Sequence, residues 1–292
     1  MPTSPAIAKH QTVILWLALS LYALSRICQI YPDTFSVPLI VFMQVVFPAI
    51  FAIVHGSILY GVRGILAFTA ICLSVGAVSE SISLRTGFPF GHYYFTGLMG
   101  PKVFDLPILL VLAYLGIGYC AWILSVLILG AQSKPLRGAK LLAVPLLASF
   151  IMTAWDLSMD PIWATLDHGW IWRDGGSYFG VPLSNFLGWY FTAFLFYQAF
   201  ALYCRANPIA NPPSSLNYWR APILCYAICS LGNLLIFKPG LFPPAATDPS
   251  GRLWITSNIL RASALISLLV MTPMAALAWH RLHAQNQGPR ST

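Results

Sequence analysis

Charge is scarce in this chain. Only 8% of its 292 residues are Asp, Glu, Lys or Arg, too few to coat a water-soluble globule of this length. Glu80 is the one glutamate. The six histidines (His10, His55, His92, His168, His280, His283) form no clustered His boxes, which excludes the di-iron type of membrane hydroxylase or desaturase. The six cysteines form no CxxC pair and stand almost all in apolar stretches, so they read as small buried residues. Cys225 and Cys229 are one helical turn apart, but no histidine or acid lies nearby to complete a metal site. There is no Gly-rich dinucleotide fingerprint, no phosphate loop and no GxSxG elbow. Chemistry without a cofactor or metal is therefore expected. The net charge of +8 comes from 16 basic residues scattered over short loops with no aromatic-basic stripe, which argues against nucleic acid.

Apolar sequence fills the space that charge leaves. Hydrophobic residues make up 58% of the chain and the mean hydropathy is +0.73. A spanning helix needs roughly 20 apolar residues, and stretches of that length recur with short polar breaks. They predict an all-α, polytopic transmembrane bundle forming a single integral membrane domain over 1–292. Spans are expected near 11–30, 37–60, 64–84, 106–130, 139–158, 182–205, 218–238 and 253–280. That makes about eight helices, with seven the alternative count. The first is read as a retained helix, because no clean cleavage site follows it. Kinks are expected at Pro38, Pro48, Pro145, Pro222 and Pro273. Short flexible tails are expected at 1–10 and 283–292.

With eight spans, Lys9, Arg63, Lys134, Arg137, Lys140, Arg205, Arg220, Arg281 and Arg290 fall on one side without any acid. Arg26, Arg85, Lys102, Arg173, Lys238, Arg252 and Arg261 fall on the other side with all eight acids. The positive-inside rule then places both termini in the cytoplasm of a bacterial inner membrane protein. Membrane lipid is the implied surrounding.

Three stretches carry candidate chemistry. In the first, Glu80 lies in the outer part of the third span, where an ionisable group is costly and faces the bundle interior, with Arg85 or another cation as a potential partner. Gly87-Phe88-Pro89-Phe90-Gly91 cannot continue that helix. It predicts a compact turn that delivers His92, Tyr93 and Tyr94 toward the bundle, unless these form an interfacial aromatic belt. The second stretch holds Asp156 and Asp160 at i and i+4, on one face at the end of the fifth span. Such a pair serves either to bind Mg²⁺ against a diphosphate or to provide a general acid in an aromatic cavity. The first use needs a second Asp-rich motif, which is missing, so the acid is preferred.

The third stretch completes a segment from Trp155 to Trp189 that holds five of the ten tryptophans: Trp155, Trp163, Trp170, Trp172 and Trp189. Trp170 and Trp172 alternate in a short extended pattern, and Gly175-Gly176 suggests a hairpin-like lid. Asn185, one turn into the sixth span, can present its amide to the same cavity. Each aromatic face stabilises a cation by roughly 0.5–2 kcal/mol.

Together, Glu80, Gly87 to Gly91 with Tyr93, Asp156, Asp160-Pro161, Gly169-Trp170, Gly180-Val181-Pro182, Asn185 and Gly188-Trp189 resemble the CruF-type carotenoid 1,2-hydratase family. The resemblance runs from the third to the sixth span. It implies addition of water across the terminal C1=C2 bond of an acyclic carotenoid end. Asp156, Asp160 and Glu80 would then be the catalytic candidates. Phe88, Phe90, His92, Tyr93, Tyr94, Trp155, Trp163, Trp170, Trp172, Asn185 and Trp189 would contact the substrate. A long apolar carotenoid and water would be the ligands, with other carotenoid-pathway enzymes as partners. An end-group cyclase using the same protonation and a non-catalytic carotenoid-binding or transport protein are the alternatives.

Overall fold

A computed structural model describes residues 7–132, 135–209 and 211–286. The described residues form an all-α bundle with no closed sheet among them. Its helices are α1 (Lys9–Cys28), α2 (Val37–Thr86), α3 (Ile108–Ile128), α4 (Lys140–Pro161), α5 (Leu183–Ala206), α6 (Leu216–Leu235), α7 (Thr256–Ile266) and α8 (Thr272–Asn286). A π-helical turn, Ser267–Met271, joins α7 to α8, and a second, Ile162–Leu166, extends α4. Among the described residues, five helices are long and apolar enough to cross a membrane: α1, α2, α3, α4 with its π turn, and α7 running into α8. The protein is a multi-pass membrane protein.

One of the five is two crossings. A straight 50-residue helix would measure about 75 Å, more than twice the ~30 Å hydrocarbon core. α2 instead breaks at Gly61, whose φ of 70° and ψ of 171° are open only to glycine. The chain folds back there, because a Cβ placed on Gly56 would strike the side chain of Ile65, nine residues further on. Limbs 37–60 and 62–86 thus supply the second and third expected spans, while α5 and α6, which lie where the sixth and seventh are expected, are not among the five helices apolar enough to cross by composition. A Cβ on Gly61 would meet nothing within 4 Å, so only the backbone resists substitution. Gly61→Ala is expected to destabilise the fold by roughly 1–3 kcal/mol. An unchanged thermal unfolding midpoint in detergent would show that the reversal does not depend on this conformation.

Apolar burial does little to join helices inside lipid, so close backbone packing and hydrogen bonds must do it. Gly116 of α3 lets the first limb of α2 approach, since a Cβ there would sit 2.8 Å from Pro48 Cβ and 2.9 Å from its carbonyl carbon. Buried His55 bridges three elements, bonding Tyr119 Oη through Nδ1 at 2.7 Å and the Tyr218 carbonyl through Nε2 at 3.1 Å. Pro48, Pro145 and Pro222 lie inside helices.

The expected tails lie in part on residues 1–6 and 287–292, outside those described, as do Lys134 and Arg290. The described portions of 1–10 and 283–292 place Lys9 and His10 in α1 and residues 283–286 in α8.

Candidate active site

α2 ends at Gly87, whose φ of 80° caps the helix while its N–H reaches the Ser83 carbonyl at 2.8 Å. The next four residues form the expected tight turn, with a cis peptide at Phe88-Pro89 and the Gly91 N–H bonded to the Gly87 carbonyl at 2.7 Å. Ser83 Oγ receives the Phe90 N–H and donates to the Gly91 carbonyl, while Ser184 Oγ of α5 donates to the Phe90 carbonyl at 2.8 Å. The turn is thereby fastened to two helices.

Strand β1 (Tyr93–Phe95) follows, and it pairs antiparallel with β2 (Trp170–Trp172) in the loop after α4. The expected extended segment at Trp170 and Trp172 is present, but β2 takes its partner from the loop after α2 and not from a hairpin of its own. Register joins Tyr93 to Trp172 and Phe95 to Trp170. Strand alternation sends Tyr93, Phe95, Trp170 and Trp172 inward. His92 and Tyr94 point outward and are exposed, with Arg173 stacked 5.4 Å above the Tyr94 ring. The expectation that all three of His92, Tyr93 and Tyr94 turn toward the bundle holds for Tyr93 alone. Phe88 is likewise exposed and packs on Phe191, whereas Phe90 is buried.

Beneath the paired strands, three carboxylates converge. Asp156 and Asp160, each 1% exposed, share the face of α4 that their spacing predicts. Asn185 Nδ2 donates to Asp156 Oδ2 at 3.0 Å and to Asp160 Oδ2 at 2.5 Å, so a single amide bridges the pair. Trp170 Nε1 donates to Asp160 Oδ1 at 2.6 Å. Glu80 accepts from Tyr114 Oη at Oε1, at 2.6 Å, and from Tyr93 Oη at Oε2. Its partners are two phenols, and Arg85 takes no part. Of the six carboxylate oxygens, five accept a hydrogen bond, and Asp156 Oδ1 is buried with none. Among the described residues, no group of three His, Cys, Asp or Glu converges on a common metal position.

A cavity of about 20 Å³ separates these groups, lined by all three carboxylates with Asn185, Tyr93 and Trp189. That is room for one water molecule. Trp189 stacks on Tyr114 at 4.5 Å, and Trp155 meets Trp189 edge to face at 5.8 Å. Leu110, Met159 and Trp170 also border a second cavity of about 350 Å³ that opens between α1, α2, α3, α4 and α6. Trp155 and Trp163 line this larger space, and Trp163 lies parallel to Trp170 at 6.3 Å. Tyr114, Phe95, Leu110 and Met159 contribute to the site without having been singled out in the sequence. Nothing in the apolar run of α3 marks Tyr114 as the residue that would face Glu80.

Asp167, just beyond the π turn, lines the larger cavity, and burial pushes its carboxyl up to about 7. A carboxyl with a raised folded pKa keeps a proton that the unfolded chain has already lost. Stability should therefore fall as pH rises from the ordinary carboxylate range to about 7, then level off. Asp167→Asn is expected to flatten this slope in thermal unfolding measured across pH 4–7. An unaltered slope would exclude Asp167 as its source.

The fold and site define a polytopic helical membrane protein whose buried carboxylates face a small pocket at the end of an aromatic-lined cavity. The family model described as "Carotenoid biosynthesis protein" matches residues 37–247, well over half of the chain. The chain belongs to this carotenoid biosynthesis family. No curated protein and no solved structure matches it.

Proposed function

We propose that the protein is a carotenoid hydratase that adds water across the terminal C1=C2 bond of an acyclic carotenoid end. Membership of the carotenoid biosynthesis family supports a polyene substrate. The observation that carries the reaction is Asp156 Oδ1, the one oxygen of the six in Glu80, Asp156 and Asp160 without a partner, on a residue that lines a space the size of one water.

The end group enters through the larger cavity, and Asp156 transfers its proton to C2 while the π electrons form the new C–H bond. The positive charge resides on tertiary C1, facing Trp155, Trp170, Trp172 and Trp189. Asn185 uses its N–H groups on the two aspartates, and its side-chain oxygen accepts no protein hydrogen bond, so it can hold the water. Water attacks C1 and loses a proton to the carboxylate cluster, which restores the acid. Glu80, held by two phenols, keeps Tyr93 and the strand pair in place. No cofactor takes part.

The charge asymmetry supports an outer-face position for this end of the bundle in a bacterial inner membrane, with both termini in the cytoplasm; the chain is proposed to form one integral membrane domain over 1–292. Membrane lipid surrounds it, and other carotenoid-pathway enzymes are its expected neighbours. Expression in a lycopene-accumulating bacterium should yield a carotenoid heavier by one water. A cyclic product of unchanged mass would mark an end-group cyclase, and an unchanged pigment would mark a binding or transport protein.

A further inference from the structure

The larger cavity has a polar wall remote in character from the aromatic one, and it holds an uncompensated cation. Arg26 lies inside the first span, where a charged group is costly and ordinarily finds a counter-ion. Here it donates through Nη1 to Gln44 Oε1 at 2.8 Å and through Nη2 to Asn233 Oδ1. Both acceptors are neutral amides. Its Nε is buried without a partner, and among the described residues no acid pairs with it.

The surrounding amides are held in place by further neutral groups. Gln44 Nε2 donates to Gln29 Oε1 at 3.0 Å, and Gln29 Nε2 donates to the Gly232 carbonyl at 2.9 Å. Asn233 Nδ2 donates to Ser158 Oγ at 3.0 Å and to Ser267 Oγ at 3.1 Å. Gly232 leaves the space the guanidinium occupies, since a Cβ there would sit 3.0 Å from Arg26 Cζ. The group is thus packed into position by four helical elements. Arg26, Gln29, Gln44 and Asn233 all line the cavity. Asp167 is the one acid on that lining, and it forms no ion pair with Arg26.

A guanidinium has five N–H donors in a planar fork, and protein acceptors engage only two of the five here. Apart from Asp167 and the amides around the arginine, the lining is mostly apolar and includes Val41, Val45, Ile117 and Met159. We infer that this wall binds the oxyanion of an amphiphile, a carboxylate or phosphate borne on a long apolar chain that runs through the rest of the cavity. An anion supplies the missing counter-charge, and bidentate contact uses the idle donors. A neutral polyene satisfies neither requirement. The inference goes beyond hydration, because it concerns the arginine wall and not the three carboxylates, and its occupant would compete with a carotenoid end for the rest of the same cavity.

The test uses the full chain in a non-ionic detergent, with parinaric acid as probe. This conjugated tetraene fatty acid accepts energy from tryptophan, and its methyl ester is the uncharged control. The acid should bind about tenfold or more tightly than the ester, and Arg26→Gln should remove the difference while Arg26→Lys keeps part of it. Displacement of the acid by lysophosphatidic acid would identify lipid phosphate as a source of the anion, and displacement by saturated fatty acid alone would identify carboxylate. Equal affinity of wild-type protein for acid and ester would overturn the inference, as would an acid preference that survives Arg26→Gln. The wild-type comparison decides the matter even where the Gln variant fails to fold.

Discussion

Asp156→Asn is expected to lower hydration of a lycopene-type substrate by on the order of 10²–10⁴-fold, the usual contribution of a positioned general acid. The substitution keeps the shape of the side chain and leaves its bridge to Asn185 able to form. It removes the carboxyl proton from the position where Oδ1 has no protein partner. Asp160→Asn should be damaging for a different reason. Its two oxygens accept from Trp170 and Asn185, and an amide can present only one acceptor to those two donors. One buried N–H is left unsatisfied, at a cost of about 1–3 kcal/mol, so Asp160→Asn should lower thermal stability as well as product yield. Product mass from a lycopene-accumulating host, alongside unfolding midpoints, separates the two roles. Near-normal hydration by both variants would remove the carboxylates from the mechanism.

The second large effect concerns the seal over the pocket. Gly188 of α5 faces the turn that follows α2, where an added Cβ would lie 2.7 Å from both Phe90 Cδ1 and the Pro89 carbonyl oxygen, and 2.9 Å from the Pro89 carbonyl carbon. Two of those three atoms belong to backbone, which cannot rotate away as a side-chain end can. Gly188→Val should therefore push the turn off α5, at a cost of roughly 1–3 kcal/mol in stability. It should also displace Tyr93 and the strand pair, with near-complete loss of product. Gly97→Ala is the matched control, since a Cβ there would meet nothing within 4 Å. Equal activity in the two variants would show that turn and helix need not be in contact.

Much of this arrangement is legible in the chain. Apolar runs broken by loop charges mark the spans, because lipid tolerates little else across its thickness. The i, i+4 spacing places Asp156 and Asp160 on one face, and a helix beginning near Pro182 puts Asn185 one turn in, close enough to join them. What pairing does is harder to read. Nothing local to Tyr93 or Trp172 announces that the chain returns after 78 intervening residues to form a three-residue ladder between them. Without that ladder, the alternation that buries Tyr93 and exposes His92 and Tyr94 has no visible origin. Glu80 shows the same limit from the other side. A costly charge in a span calls for a partner, and sequence proximity points to Arg85, whereas Tyr114 arrives from another helix. Arg26 could have been noticed on the same grounds, yet its place near a span end makes it look like a loop charge.

Gly61 bears on more than packing. Because the chain reverses there, α2 leaves the membrane on the side from which it entered, and every later element is shifted by one crossing. The ends of α1 and α4 consequently meet at the larger cavity, and the Glu80 limb meets the end of α4 at the smaller one. Were α2 a single passage, Glu80 and Arg26 would emerge on opposite surfaces. The parity of the chain, and hence the compartment from which the pocket draws water and protons, turns on one residue that has no side chain.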